Sequence, residues 1–169
     1  MSEIGLFFGS STGNSETIAR MIARCFLPVP IDIYDVIHSP TRSITNYKKM
    51  IFGIPSWNSH PIQDDWKDFL PDISEVNFAK KKIALYGLGD QITYSENFLD
   101  EMGVMYDWLI TRNVEVVGFW PADGYFFRRS LALRHGKFVG LALDEDQQSN
   151  LTSIRVDIWV KNLKIEFGV

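Results

Sequence analysis

Ile4-Gly5-Leu6-Phe7-Phe8-Gly9-Ser10-Ser11-Thr12-Gly13-Asn14-Ser15 decides the reading of this 169-residue chain. Its first five residues are apolar on both faces, as in a strand buried inside a parallel sheet. The remainder is an uncharged loop of hydroxyls and glycines that opens onto a helix. After it, Ile18, Met21, Ile22, Cys25 and Phe26 recur at helical spacing, and Pro28 stops the helix. Strand, polar loop and helix make the repeating unit of a doubly wound fold.

The same alternation continues along the chain. Ile31-Asp32-Ile33-Tyr34 reads as a more exposed, alternating strand, and Met50-Ile51-Phe52-Gly53-Ile54 and Ile83-Ala84-Leu85-Tyr86 read as fully buried ones. Trp66, Phe69 and Leu70 predict a short helix. Phe98, Met102, Met105, Tyr106 and Leu109 predict the inner face of a longer one. Val114-Glu115-Val116-Val117-Gly118-Phe119 and Phe138-Val139-Gly140-Leu141-Ala142-Leu143 read as two pieces of the last strand. Leu151, Ile154, Ile158 and Trp159 then place a C-terminal helix against the sheet. The expectation is a single domain over residues 1–169, an α/β fold with helices on both faces of a parallel sheet.

Composition narrows the function. Apolar residues make up 46% and charged residues 22%, the balance of a globular domain rather than of a disordered or fibrous chain. The only cysteine, Cys25, excludes a disulfide framework and reads as core. His38, His60 and His135 lie far apart, with no metal-ligand spacing and no nucleophile–base pair. A formal charge of −4 and a pI near 5.3 argue against nucleic acid. No apolar run has the length of a membrane span, and residues 1–25 lack a basic start and cleavage site. A cytoplasmic protein without membrane insertion is expected. Aromatics reach 14%, more than a core of this size uses, so some should have another role.

Ligands of doubly wound sheets sit beyond the C-terminal strand ends, which points to residues 9–15, 55–61 and 87–94. In the first loop, Ser10, Ser11, Thr12, Gly13, Asn14 and Ser15 place four hydroxyls before a helix with no Lys or Arg. Hydroxyls and backbone N–H groups there form a neutral nest for a phosphate. Helix capping needs only one such residue, and the Gly-Lys-Thr/Ser and Gly-x-Gly-x-x-Gly patterns are both absent. The second loop, Pro55-Ser56-Trp57-Asn58-Ser59-His60-Pro61, holds a Trp that either folds onto the core or stacks on a ligand. In the third, Gly87-Leu88-Gly89-Asp90-Gln91-Ile92-Thr93-Tyr94, the glycines permit close backbone approach. Tyr94 either packs or stacks. Together the loops suit a planar aromatic ring with a phosphate tail.

The first-loop segment, Gly53-Ile54-Pro55-Ser56-Trp57-Asn58, Tyr86-Gly87-Leu88-Gly89-Asp90-Gln91 and Gly136-Lys137-Phe138-Val139-Gly140-Leu141-Ala142-Leu143-Asp144-Glu145-Asp146 resemble the long-chain flavodoxins. The resemblance runs to Phe167-Gly168-Val169, and residues 119–137 resemble the insertion that splits the fifth strand in that group. It implies a flavodoxin-like three-layer sandwich with a five-stranded parallel sheet of order 2-1-3-4-5. It also implies non-covalent FMN, with residues 10–15 at the phosphate and Trp57 and Tyr94 sandwiching the isoalloxazine. Pro55, Ser56, Asn58 and Ser59, with Leu88, Gly89 and Asp90, would meet the ring edge. The Asn58–Ser59 peptide would turn on reduction. The implied role is that of a monomeric, low-potential one-electron carrier rather than an enzyme. It would serve a ferredoxin/flavodoxin-NADP reductase-like donor or a photosystem, and reductase acceptors.

Asp64, Asp65, Asp68, Asp90, Glu96, Asp100, Glu101, Asp144, Glu145 and Asp146 would then ring the flavin as a docking face. Three departures from the family pattern stand out. Ser15 replaces the usual Thr and keeps its hydroxyl. Ser59-His60-Pro61 replaces an apolar residue, Gly and an acid. Arg128, Arg129, Arg134, His135 and Lys137 make the insertion basic, as a solvated loop or as a surface for an acidic partner. The alternative on the same fold, an NAD(P)H-dependent FMN-containing quinone reductase, needs an open ring face that Trp57 and Tyr94 would cover. A phosphoacceptor domain needs an Asp where strand three ends in Ile54-Pro55.

Overall fold

The computed structural model describes residues 2–9, 13–55 and 64–169. β1 (Ile4–Phe8) is buried at every position and lies between β2 (Ile31–Asp35) and β3 (Lys49–Pro55), parallel to both. β3 pairs in parallel with β4 (Lys82–Leu88). On its far side β4 pairs at Lys82, Ile83 and Ala84 with β5 (Glu115–Val117). The chain then leaves the sheet and builds β6 (Trp120–Pro121), β7 (Leu133–Arg134) and β8 (Lys137–Phe138) into a small antiparallel sheet of order β6-β8-β7. It returns as β9 (Leu141–Leu143), parallel to Tyr86, Gly87 and Leu88 of β4. The main sheet thus has the expected order β2-β1-β3-β4-β5, with its fifth position split.

Alternation along β1 feeds two cores. Ile4, Leu6 and Phe8 pack with α1 (Asn14–Phe26) and α4 (Ser149–Phe167) on one face. Phe7 packs on the other with α2 (Asp64–Ile73) and α3 (Asp100–Ile110).

Several expectations are corrected. Ile154 and Ile158 of α4, expected against the sheet, are 52% and 44% exposed. The buried face runs instead through Thr152, Arg155, Val156, Trp159, Val160, Leu163 and Phe167. Trp159 fixes that rotation, because its indole N–H donates to the Gly118 carbonyl at 2.8 Å. Phe98 is buried but precedes α3 rather than belonging to it. Phe138 belongs to β8, not to the fifth strand. β2 does not alternate: as an edge strand it is half-buried at all five residues, and Tyr34 stacks on Phe7 with ring centroids 4.8 Å apart. Cys25 is half-buried at the rim of its cluster rather than in the core.

Candidate functional site

β1, β3 and β4 are adjacent and parallel, so the strand ends that lead into the three loops expected to hold a ligand lie side by side. Gly13, at the N-cap of α1, has φ +86°, and a Cβ there would meet nothing within 4 Å. Its carbonyl accepts the Thr17 backbone N–H and hydroxyl at 3.1 and 3.2 Å. A glycine N-cap supplies no side-chain cap, and the first N–H groups of a helix, which have no intrahelical partner, suit an anion. Asn14 is exposed. Ser15 is 1% exposed, and its Oγ has no hydrogen-bond partner among the described residues. A buried hydroxyl left unbonded is costly, and a phosphate oxygen would satisfy it. The residues present therefore fit the phosphate end of FMN. Ser10, Ser11 and Thr12 lie outside the described residues.

Below this turn, Tyr86 of β4 is fully buried and its hydroxyl donates to the Ser15 carbonyl at 2.8 Å. Burial pushes its phenol well above the usual tyrosine range. Gly53 and Pro55 at the end of β3 are buried, and the Gly53 carbonyl accepts the Trp66 indole N–H at 2.8 Å. Ser56, Trp57, Asn58, Ser59, His60 and Pro61 lie outside the described residues, as does the Asn58–Ser59 peptide.

The loop after β4 is organised by short-range bonds. Leu88 is buried, and the Gly89 N–H donates to the Leu143 carbonyl at 3.0 Å. Asp90 Oδ1 accepts the backbone N–H groups of Ile92 and Thr93 and the Gln147 side chain, each at 3.0 Å. Burial pushes the Asp90 carboxyl up, but the bonds from Thr93, Gln147 and Ile92 outweigh it and hold the group below the usual value. The Tyr94 N–H closes the turn onto the Asp90 carbonyl at 3.0 Å, and the Tyr94 ring is half-buried.

Two of the acids expected around a ring face inward. Asp144 is fully buried and accepts four N–H groups: the backbone and side chain of Gln91, and the backbones of Asp146 and Gln147. Glu101 is 3% exposed. Asp144 before a polar run and a helix has the pattern of a structural Asx turn, a signal that was present in the sequence. Gln91, 1% exposed, carried no such signal. Burial, Asp90 and Asp144 together raise the Asp146 carboxyl above its usual value. The basic insertion is partly paired with acids outside it, Arg128 with Glu96 at 3.3 Å and Arg134 with Asp107 of α3 at 2.6 Å. Arg129, His135 and Lys137 are exposed. Among the described residues no group of three metal-ligating side chains comes together, and no helix is long and apolar enough to cross a membrane.

A family model described as Flavodoxin matches residues 6–159. The chain is 42% identical over 170 residues to a flavodoxin of Synechococcus elongatus, covering 100% of both chains. It is 42% identical over 167 residues to flavodoxin 1 of Escherichia coli, covering 98% of this chain and 95% of that one. Its structure is similar to that of Fusobacterium nucleatum flavodoxin bound to flavin mononucleotide, with TM-score 0.92, 30% identity, and 98% and 99% of the two chains covered.

Proposed function

The chain belongs to the flavodoxin family, and on that premise we propose that it binds FMN beyond the ends of β1, β3 and β4 and carries single electrons between redox proteins. Bound FMN supplies a centre that exchanges electrons one at a time. The observation that carries the reading is the orphaned Ser15 Oγ in the first turn of α1. A hydroxyl buried without a partner beside a helix N-terminus suits an anionic oxygen.

In this reading residues 10–15 hold the phosphate through hydroxyl and N–H groups with no cation. That leaves a negative field which opposes further negative charge nearby. Trp57 and Tyr94 cover the two ring faces, and Pro55, Ser56, Asn58, Ser59, Leu88, Gly89 and Asp90 meet its edge. The Asn58–Ser59 peptide turns to meet the proton taken up on reduction. Residues 1–169 act as one monomeric domain in the cytoplasm. The exposed acids around the loops favour basic docking surfaces, as on a ferredoxin/flavodoxin-NADP reductase-like donor, a photosystem or a reductase acceptor.

The test is reconstitution of apoprotein with FMN, followed by anaerobic reductive titration read by absorbance. Stoichiometric yellow complex and two resolved one-electron steps are expected. Failure to take up FMN would overturn the proposal. Direct two-electron reduction by NAD(P)H would replace it with a quinone reductase.

A further inference from the structure

We infer that Gln91 is a positioning residue: its side-chain amide ties residues 119–137 and the turn after β9 to the loop that carries Tyr94, and so sets the ring-facing wall of the site before any ligand arrives. The inference rests on the FMN reading above.

Gln91 sits in a loop at the ligand end, yet is 1% exposed. A buried amide is tolerated only when its polar atoms are bonded. Here Nε2 donates to Asp144 Oδ2 at 2.9 Å, and the Gln91 backbone N–H donates to the same oxygen at 3.0 Å. Oε1 accepts the backbone N–H of Phe126 at 2.5 Å. The partners fix which way the amide points, since a carboxylate only accepts and a backbone N–H only donates. The anchor is held in turn, because Asp144 Oδ1 accepts the Asp146 and Gln147 N–H groups at 3.1 and 2.9 Å.

Tyr94 follows within a turn closed on Asp90, so the turn moves with whatever holds Gln91. Just beyond Tyr94, the Ser95 carbonyl accepts the backbone N–H groups of Arg128 and Arg129 at 2.8 and 2.9 Å. The Tyr94 segment is therefore gripped by the insertion on both sides. A wall ordered in advance spares the ligand the entropy of ordering it.

The test uses full-length apoprotein, wild type and two variants, titrated with FMN and with riboflavin at pH 5 and pH 8. Gln91→Met keeps the volume and removes both side-chain bonds. Affinity for both flavins should fall by the same factor, about tenfold or more, at both pH values, since Asp144 and the Phe126 N–H lose a buried partner. Gln91→Glu sets a second carboxylate against Asp144. Among the described residues, Asp90 and Asp146 lie within electrostatic reach of Asp144's surroundings and add to the repulsion, while Arg155, whose guanidinium lies 4.2 Å from the Tyr125 ring centroid, opposes it. Both affinities should drop at pH 8. In the apoproteins, hydrogen exchange at the Tyr94 amide should speed up while the α4 amides stay protected.

Variants that match wild type in affinity and exchange would overturn the inference. So would unfolding of both apoproteins, which would make Gln91 a determinant of the whole fold. Failure of the wild type to bind FMN would instead overturn the reading beneath it.

Discussion

The hydroxyl of Tyr86 donates to the Ser15 carbonyl across 2.8 Å, bonding β4 to the first turn of α1 over the top of β3. The phenol crosses at Gly53, where a Cβ would lie 2.2 Å from both Tyr86 Cζ and Oη. The glycine is thus the opening through which the first turn of α1 is pinned to the sheet.

Gly53→Ala should close that opening. With Tyr86 buried on all sides, overpacking should destabilise by about 2 kcal/mol or more, read as a lowered Tm. Combined with Tyr86→Leu, the losses should fall short of additive by about 0.5–3 kcal/mol. Strictly additive losses would refute the contact.

Ser15→Ala should separate binding from stability. Ser15 Oγ makes no bond among the described residues, so the apoprotein's Tm should stay level or rise. FMN affinity should fall by about 1.5–3 kcal/mol, the worth of a hydrogen bond to a charged group. Riboflavin affinity should barely change. Calorimetric titration of both ligands checks the contrast.

Asp90 and Asp146 should respond to pH with opposite signs. The Asp90 carboxyl is depressed in the fold, so it contributes stability above its unfolded value of about 3.9 and loses it as pH falls through the folded value. Asp90→Asn should therefore be less stable than wild type at pH 7 and converge with it in strong acid. The Asp146 carboxyl is raised, so it destabilises at neutral pH, and Asp146→Asn should gain slightly there. Solvent screening at this exposed group keeps that gain under about 0.5 kcal/mol, and it should vanish below about pH 4. Urea melts across pH 3–8 read both.

The rotation of α4 predicts unequal truncations. Leu163→Ala empties a fully buried site and should cost about 2–5 kcal/mol. Ile158→Ala, on the exposed side, should stay within about 0.5 kcal/mol. Equal losses would restore the face expected from apolar spacing.

The strands that carry both cores, Ile4–Phe8, Lys49–Pro55 and Lys82–Leu88, were legible because burial on two faces leaves runs of apolar residues that no surface segment tolerates. The α4 face was not, because its inward side includes Thr152 and Arg155 while Ile154 and Ile158 face out. Apolar spacing alone gives the wrong rotation when polar side chains bond inward. Strands of two residues, such as Leu133–Arg134, have no period to read. In the site, the hydroxyl loop and Tyr94 stood out by type and position. Asp144 had the pattern of an Asx turn, but the burial of Gln91 against it depends on partners distant in sequence, and no single residue's chemistry shows a network of that kind.

β4 meets its outer neighbour twice, at Lys82, Ile83 and Ala84 with β5, and at Tyr86, Gly87 and Leu88 with β9 after the chain has gone out and come back. Closing the second contact waits on the longer excursion and its greater loop entropy. Residues 86–88 stand at the strand ends where the cofactor is proposed to bind, so on loop entropy alone that end of the sheet edge is expected to seal last. A nascent chain that has emerged only as far as residue 140 would hold the Lys82–Ala84 half of that edge while the Tyr86–Leu88 half still stood open.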